Sequence, residues 1–546
     1  MTAEPVTDNA GLERSPRSNQ PAAVKVLHVL SVSVPHLNGY TMRSRYIVNT
    51  LKAEGRYAPV VITSPFYPGN PASLVDETID GIEYHRVPHP ADLRRPKGMV
   101  QILCSAAYRI RRRGRARLAR RTMGLREWLT RALLAMRARL EPYLPDRATK
   151  AGKLRLLPGM LFALCWKGGG AALRLLSRLS NAAQRARARL VRRTANLLQW
   201  GEERLLLRLM RGRVEELCRR VKPEIVHAHS PYRSALPAMQ VARTLGIPFV
   251  YEVRGLWEES SVADGRWTPS DPRFLFWREM DTRVMLGADA VICICWQLRE
   301  EVIRRGVAPD RVFVVPNAVC PEAFAQSEPA DEPLPEPVEQ VRRKLRRYTM
   351  GYVGSIRKLE GVEELLHGAA EVVRRGVDVS VLVVGDGDTL NGLKQLAAEL
   401  GLGDRAVFPG RVPHDQVRHY YDLIDVFAIT RPATRVARMV TPLKPLEAMA
   451  LGRALVLADL PALRELVDDG VTGLLYRPGD IGDLADQCIR LMEDPLLRRR
   501  LAEQARRWVL AERTWSASLA NIGEVYRTAA RNAEGKYSAL GEAASR

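Results

Sequence analysis

Residues 348–361 read Tyr348-Thr349-Met350-Gly351-Tyr352-Val353-Gly354-Ser355-Ile356-Arg357-Lys358-Leu359-Glu360-Gly361. The first half is a short apolar run rich in β-formers. The second half is a Gly/Ser loop with two adjacent cations, and a helical pattern follows. A strand that passes through a glycine loop into a helix is the repeating unit of a parallel α/β sheet. Arg357 and Lys358 in such a loop can hold a diphosphate by charge-assisted hydrogen bonds of roughly 1.5–3 kcal/mol each. A solvated basic loop is the other reading.

Moving toward the C-terminus, strand-like runs recur at 379–385, 406–409, 426–430, 454–458 and 473–476, with helical patterns in most of the gaps. Toward the N-terminus, residues 326–338 are rich in Pro and Glu, a linker composition. Before the linker lies a second alternation, with strands at 25–30, 60–63, 82–87, 225–229, 249–253, 290–295 and 312–317. The expected fold is α/β, two Rossmann-like domains in tandem that face a ligand cleft across the carboxyl ends of their sheets. The expected boundaries are a disordered leader at 1–23, a first domain at 24–92 and 222–325, and a basic helical insertion at 93–221. A linker at 326–346, a second domain at 347–510, a C-terminal helix at 511–530 and a tail at 531–546 complete the division.

The chain of 546 residues carries a formal net charge of +23, and this charge is regional. Between Arg94 and Arg220 there are 33 Lys and Arg against 7 Asp and Glu; the rest of the chain is close to neutral. Such a segment expects an anionic partner. Arg-dense runs at 109–121 and 185–193 are interspersed with Ala and Leu, and Leu133-Leu134, Leu175-Leu176 and Leu205-Leu206-Leu207 supply apolar anchors. Arginine stems beside an apolar stripe suit a helix lying on an anionic membrane surface. A solvated or self-associating helical arm is a second reading. Nucleic-acid binding is the least favoured, since aromatics for base stacking are few. The apolar stretch 156–166 is too short to span a bilayer, and no secretory signal is visible. Seven scattered cysteines, with only Cys293 and Cys295 close together, fit a reducing cytosol and a structural role.

Two further stretches carry candidate chemistry. Asn38-Gly39-Tyr40-Thr41 closes the loop after the first strand, where a glycine lets backbone approach a phosphate at a helix N-terminus, or simply makes a tight turn. Val440-Thr441-Pro442-Leu443-Lys444-Pro445-Leu446-Glu447-Ala448-Met449-Ala450-Leu451-Gly452 reads as a loop into a helix start. Glu447 in its first turn can accept hydrogen bonds from ribose hydroxyls, or serve only as a helix-dipole glutamate.

The loop at Gly354, Val384-Gly385-Asp386-Gly387, Phe408-Pro409-Gly410-Arg411-Val412, Leu446-Glu447-Ala448-Met449-Ala450 and Asp469-Gly470-Val471-Thr472-Gly473 stand in an order that resembles the family-4 glycosyltransferases of the GT-B fold. The N-terminal half, through His36-Leu37-Asn38-Gly39-Tyr40-Thr41-Met42-Arg43, His227-Ala228-His229-Ser230-Pro231 and Tyr251-Glu252-Val253-Arg254-Gly255-Leu256-Trp257-Glu258, is similar to a branch from bacterial exopolysaccharide and exosortase-associated clusters. The resemblance covers 24–92 and 222–530. It implies a retaining, metal-independent hexosyltransferase that uses a nucleotide-diphosphate sugar and no cofactor. The acceptor would be a saccharide or lipid-linked saccharide. The resemblance does not extend to the insertion; it is the charge of residues 94–220 that adds the expectation of a cytoplasmic enzyme, peripheral at the inner membrane face. The implied donor residues are Gly39 and Gly354 near the phosphates, Thr441, Leu443 and Lys444 near the diphosphate, Glu447 on the ribose, and Arg411 and Val412 at the base. Arg254 takes a position where many members carry a His near the reacting sugar, and Arg357 and Lys358 complete the catalytic set.

Three positions depart from the family pattern. Ser355 and Glu360 stand where members carry an Arg and a Lys, so Arg357 and Lys358 are the expected substitutes. Met439 stands where a second glutamate is usual, which leaves Arg431, Arg435 or Arg438 to line the site. The pair Asp386 and Asp388 offers metal ligands, but the resemblance places it in a structural turn. Two rivals are a GT-B sugar-nucleotide epimerase, for which His227 and His229 are candidate acid/base groups, and a non-catalytic scaffold that keeps the fold.

Overall fold

A computed structural model describes residues 23–36, 38–66, 76–89, 201–321 and 333–544. The leader, residues 90–200 of the insertion and residues 322–332 of the linker lie outside the described residues. The expected architecture is present: two sheets, each the centre of an α/β layer structure.

The first sheet has eight strands in the order β3-β4-β2-β1-β5-β6-β7-β8. Its parallel centre comprises β1 (Val24–Leu30), β2 (Tyr57–Thr63), β5 (Ile225–His229), β6 (Phe249–Val253), β7 (Ala290–Cys293) and β8 (Val312–Val314). β3 (Glu77–Ile79) and β4 (Ile82–Arg86) form the one antiparallel pair among the described strands. Their two-residue turn, Asp80-Gly81, has positive φ at both positions, as the tightest hairpins require. The second sheet is parallel throughout, in the order β11-β10-β9-β12-β13-β14. Its strands are β9 (Tyr348–Val353), β10 (Val379–Val384), β11 (Ala406–Gly410), β12 (Val426–Ile429), β13 (Ala454–Ala458) and β14 (Leu474–Tyr476). Strands buried on both faces are near-continuous apolar runs, which is why they are so plain in the sequence.

The helices that frame the site are α1 (Gly39–Ala53), α2 (201–221), α3 (Tyr232–Leu245), α4 (Trp257–Ala263), α5 (Pro272–Gly287) and α6 (Trp296–Arg304) in the first half. In the second half they are α7 (Val362–Arg374), α8 (Arg435–Met439) and α9 (Lys444–Ala450), and α10 (Ile522–Ala544) closes the chain.

Three boundaries differ from expectation. Residues 201–221, assigned above to the insertion, form a helix whose Met210, Val214, Leu217 and Cys218 enter the core of the first domain. Their spacing makes one apolar stripe, and burying that stripe ties the helix to the sheet. The helix expected at 511–530 is instead a short helix, Trp515–Leu519, followed by α10, which continues through the expected tail. Ile522, Val525, Tyr526 and Ala529 pack on the first domain, so α10 crosses back from the second domain to the first. The strand expected through residue 295 stops at Cys293, and Cys295 caps α6 instead.

One buried acid sets a stability trend with pH. Asp281 on α5 accepts hydrogen bonds from the Tyr232 backbone N–H at 2.8 Å and the Tyr251 hydroxyl at 2.7 Å. Burial, and then the charge of nearby Glu258, raise its pKa to about 7. The folded state therefore holds a proton that the unfolded chain releases near pH 4, and stability falls as pH rises from about 4 to about 7. Asp281→Asn keeps the acceptor oxygen and removes the ionisation. Relative to its behaviour at low pH, thermal melts should show the variant gaining on wild type by on the order of 4 kcal/mol at pH 8, by about 1.5 kcal/mol at pH 5 and by little below about pH 4. Equal pH profiles would refute the assignment.

Candidate active site

The carboxyl ends of the two sheets face each other, and most of the expected residues meet there. On the first domain, Asn38 caps α1 by accepting the Thr41 N–H at 3.0 Å. Gly39, the first helical residue, lies against the opposite domain: a Cβ there would stand 3.5 Å from Leu443 Cδ1. Its backbone does not need a glycine φ; the close approach is what it provides. Thr441 is buried at the same junction, where its carbonyl accepts from Asn317 Nδ2 at 3.0 Å. It ties the domains together rather than lining open space.

On the second domain the loop after β9 is built around Gly354, at φ 145°. A Cβ there would lie 2.1 Å from Lys444 Cε, so only glycine lets the Lys444 side chain cross this turn. The Lys444 ammonium sits 3.0 Å from Glu360 Oε2 and 5.1 Å from the centre of the Tyr352 ring. Glu360 also takes a two-pronged contact from Arg431, at 3.1 and 3.2 Å, while Arg431 Nη1 donates to the Val440 carbonyl. Burial alone would raise the Glu360 pKa; Arg431 and Lys444 outweigh it and bring it to about 2. Burial lowers the Lys444 pKa, with Glu360 opposing. Two cations and one carboxylate thus form a largely buried cluster beneath the glycine turn, with Lys444 the most exposed of the three.

Glu447, three residues beyond Lys444 on α9, accepts from the Tyr421 hydroxyl at 3.1 Å through Oε2. Burial raises its pKa, and the Tyr421 bond and Lys444 pull the other way. Among the described residues no hydrogen bond engages Oε1. Arg411 is exposed just past β11, and Val412 packs partly on the core of the second domain. Arg357 does not point to Lys444. Its guanidinium pairs with Asp264 at the end of α4 in the opposite domain. The Lys358 ammonium lies beside the neighbouring Gly265. The turn at Gly385 presses on the Gly354 carbonyl, and the Asp386 carboxylate accepts its own turn's Gly387 N–H at 2.8 Å, so Asp386 is engaged within the turn.

Residues 336–508 match the family described as "Glycosyl transferases group 1", and residues 167–323 match "Glycosyltransferase Family 4". The chain is 32% identical over 323 residues to a D-inositol 3-phosphate glycosyltransferase of Frankia alni, covering 56% of this chain and 74% of that protein. It is 29% identical over 329 residues to an alpha-D-kanosaminyltransferase of Streptomyces kanamyceticus, covering 57% of this chain and 79% of that one. The chain belongs to the family-4 glycosyltransferases. In fold it is similar to a sucrose-phosphate synthase of Thermosynechococcus elongatus, with a TM-score of 0.57 at 17% identity over 92% of this chain and 98% of that one. A glycosyltransferase of Rickettsia africae gives 0.54 at 13% identity over 93% and 98%. The GT-B architecture expected from the sequence is therefore the architecture of this transferase.

The transferase's departures from the family pattern now have a geometry. Where members carry a lysine it carries Glu360, and that carboxylate holds Lys444 and Arg431 against the loop. Of the three arginines expected to line the site, Arg431 lies against Glu360 beneath the Gly354 loop. Arg435 reaches across to Glu301 at 2.8 Å and Glu259 at 3.4 Å, and Arg438 is exposed. Met439 is buried in the core of the first domain, so an apolar side chain bridges the domains where an acid is usual.

Arg254 is buried, and its guanidinium is fully engaged. It donates to Glu252, to the Tyr40 carbonyl at 2.8 Å and to Ser44 Oγ at 2.7 Å, and it contacts His229. It holds the first turn of α1 from below. Glu252 is the centre of this cluster: Arg43 meets it at 2.6 Å and also binds the carbonyls of Val315 and Pro316 and the Asn317 side chain. The strand register makes this possible, since His229 pairs with Glu252 and His28 with His227 on one face of the sheet. Sequence reasoning missed Glu252 and Arg43. The legible signal was a lone carboxylate in the apolar strand 249–253.

His28, His227 and His229 place ring nitrogens within 4.8 Å of one another, close enough for a metal ion. The surroundings argue against one. Arg43 and Arg254 already outnumber the single carboxylate, and a buried dication would add charge with no counter-charge. Burial, above all, holds the three histidine pKa values below their usual range. The rings bond to each other and to Tyr526, as packed neutral imidazoles.

Proposed function

We propose that the transferase moves a hexose from a nucleotide-diphosphate donor to a saccharide or lipid-linked saccharide acceptor with retention of anomeric configuration, in bacterial exopolysaccharide assembly. The observation that carries this reading is the cluster of Lys444, Arg431 and Glu360 under the Gly354 turn, one helical turn from Glu447. Lys444 and Arg431 supply positive charge where a diphosphate would leave, and preorganised charge at a leaving group is usually the largest single contribution to such a step. Glu447 accepts ribose hydroxyls through its free oxygen. Gly39 brings the α1 N-terminus to the phosphates, and Leu443 packs beside it. Arg411 and Val412 flank the base. No side chain acts as nucleophile; the leaving phosphate takes the acceptor's proton. No metal ion or cofactor is assigned a role.

Arg254 acts as a positioning residue that sets the α1 turn. Arg357 and Lys358 complete the donor site at its rim. Arg357→Ala/Lys358→Ala and Glu447→Ala should each lower turnover at least about tenfold, or ~1.4 kcal/mol of transition-state stabilisation. The decisive experiment is a screen of nucleotide sugars with the purified protein, reading transfer and the anomer formed. Absence of transfer from every donor, or an inverted product, would overturn the reading. The epimerase alternative loses support because His227 and His229 are sealed beneath the sheet edge.

The part of the basic segment that precedes α2, residues 94–200, is assigned to the inner face of the cytoplasmic membrane by its charge. His89 follows β4 and faces Glu202 at 3.5 Å, and Glu203 is held by Tyr232 and Arg233. His89 and Glu202, which flank residues 90–200, therefore lie together at the sheet edge that faces the cleft. Among the described residues no helix is long and apolar enough to cross a membrane.

A further inference from the structure

The helical layer on one face of the first sheet carries a surface that catalysis does not use. Helices α2, α3 and α5 lie side by side in this layer, because their buried sides enter one core. On α2 the opposite side shows Arg204, Arg208 and Arg211, all exposed and spaced i, i+4, i+7. Among the described residues none of the three pairs with a carboxylate, while neighbouring Arg213 and Arg219 do. On α5 the buried side is Phe274, Trp277, Asp281 and Val284. Its outward stripe is Leu275, Glu279, Arg283 and Leu286.

Leu275 and Leu286 are 55% and 44% exposed, two of five large hydrophobics left exposed among the described residues. Both line a groove between α3 and α5 together with Arg243 and Arg278. Packing within the fold does not account for two leucines facing water three turns apart. With arginines between and beside them, and Glu279 the one acid on that stripe, they make a face that is apolar and cationic at once. Arginine stems can lie along apolar surface while their heads meet phosphates.

We propose that this face docks on an anionic lipid bilayer, with Leu275 and Leu286 entering the acyl boundary and the arginines pairing with lipid phosphates. Such a combination of apolar side chains and Arg is what interfacial binding needs. The proposal rests on the membrane reading above and moves part of the contact onto the folded domain. It also fixes an orientation. The α2 stripe starts beside Glu203, which Tyr232 and Arg233 pin at the cleft edge, so docking brings the mouth of the acceptor side to the bilayer.

The test uses the full chain in co-sedimentation with phosphatidylcholine vesicles, with and without phosphatidylglycerol. Leu275→Ser/Leu286→Ser and Arg204→Gln/Arg208→Gln/Arg211→Gln are the variants. Wild type should bind only the anionic vesicles, and each variant should bind at least about tenfold more weakly, with unchanged thermal melts. Wild-type binding that both variants retain would overturn this face and leave the membrane reading to residues 90–200. No wild-type binding to either vesicle would overturn both. Self-association that the same variants abolish, without vesicle binding, would assign the face to a second copy and refute the proposal. Donor binding by calorimetry, run alongside, separates these outcomes from a failure of the transferase reading.

Discussion

Lys444→Ala should lower kcat/KM for the nucleotide sugar by about 10²-fold, or ~2.7 kcal/mol, the scale seen when one preorganised charge is removed from a developing anion. The ammonium is held in one place by Glu360, by the Tyr352 ring and by the empty space over Gly354. A control follows from the last of these. Gly354→Ala leaves every charge in the protein but puts a Cβ 2.1 Å from Lys444 Cε, so the side chain must leave. It should reproduce most of the Lys444→Ala loss. Steady-state kinetics with the identified donor provide the measurement. A loss below about tenfold for Lys444→Ala would remove it from the reaction, and an active Gly354→Ala would show that its position does not matter.

The second large effect is on the fold beneath the site. Glu252→Gln keeps the side-chain shape but leaves Arg43 and Arg254 buried without a carboxylate. Removing one partner of such a set costs about 3–5 kcal/mol. Denaturant unfolding should show this loss, and Arg43→Ala combined with Glu252→Gln should cost less than the sum of the two single changes by more than about 1 kcal/mol. Additive costs would mean that the two do not interact as drawn. Burial would raise the Glu252 pKa, but Arg254 and Arg43 hold it well below the usual carboxylate range. The stabilisation is therefore present at neutral pH and is lost only as strong acid protonates the carboxyl. Because Arg254 holds Tyr40 and Arg43 holds Asn317, the same change should loosen both the α1 turn and the crossover to Thr441.

The fold was largely legible because each parallel strand is an apolar run buried on both faces, flanked by glycine turns. The ordered glycine motifs of the second domain gave its family as well. Boundaries were less legible. An amphipathic stripe such as Ile522, Val525, Tyr526 and Ala529 announces a helix but does not say which of two sheets it covers. The basic composition of 94–220 likewise concealed that its last turns carry a core-facing stripe, since Arg204, Arg208 and Arg211 share that helix with Leu206, Met210 and Val214.

The cation assignment shows the same division. The glycine loop announced a phosphate site, and the adjacent Arg357 and Lys358 were its nearest positive charges in sequence. In space the cations gathered at Glu360 beneath this loop are Lys444 and Arg431, drawn from segments about 90 and 80 residues away. A carboxylate that replaces a lysine reads as a loss when seen alone; only the fold brings the two cations to Glu360. What the sequence determined by itself was local and periodic: strand, turn, helix, and the order of the motifs. What the tertiary structure decided was which charges share a low-dielectric site, because burial and pairing depend on chain segments that meet only after both sheets have formed.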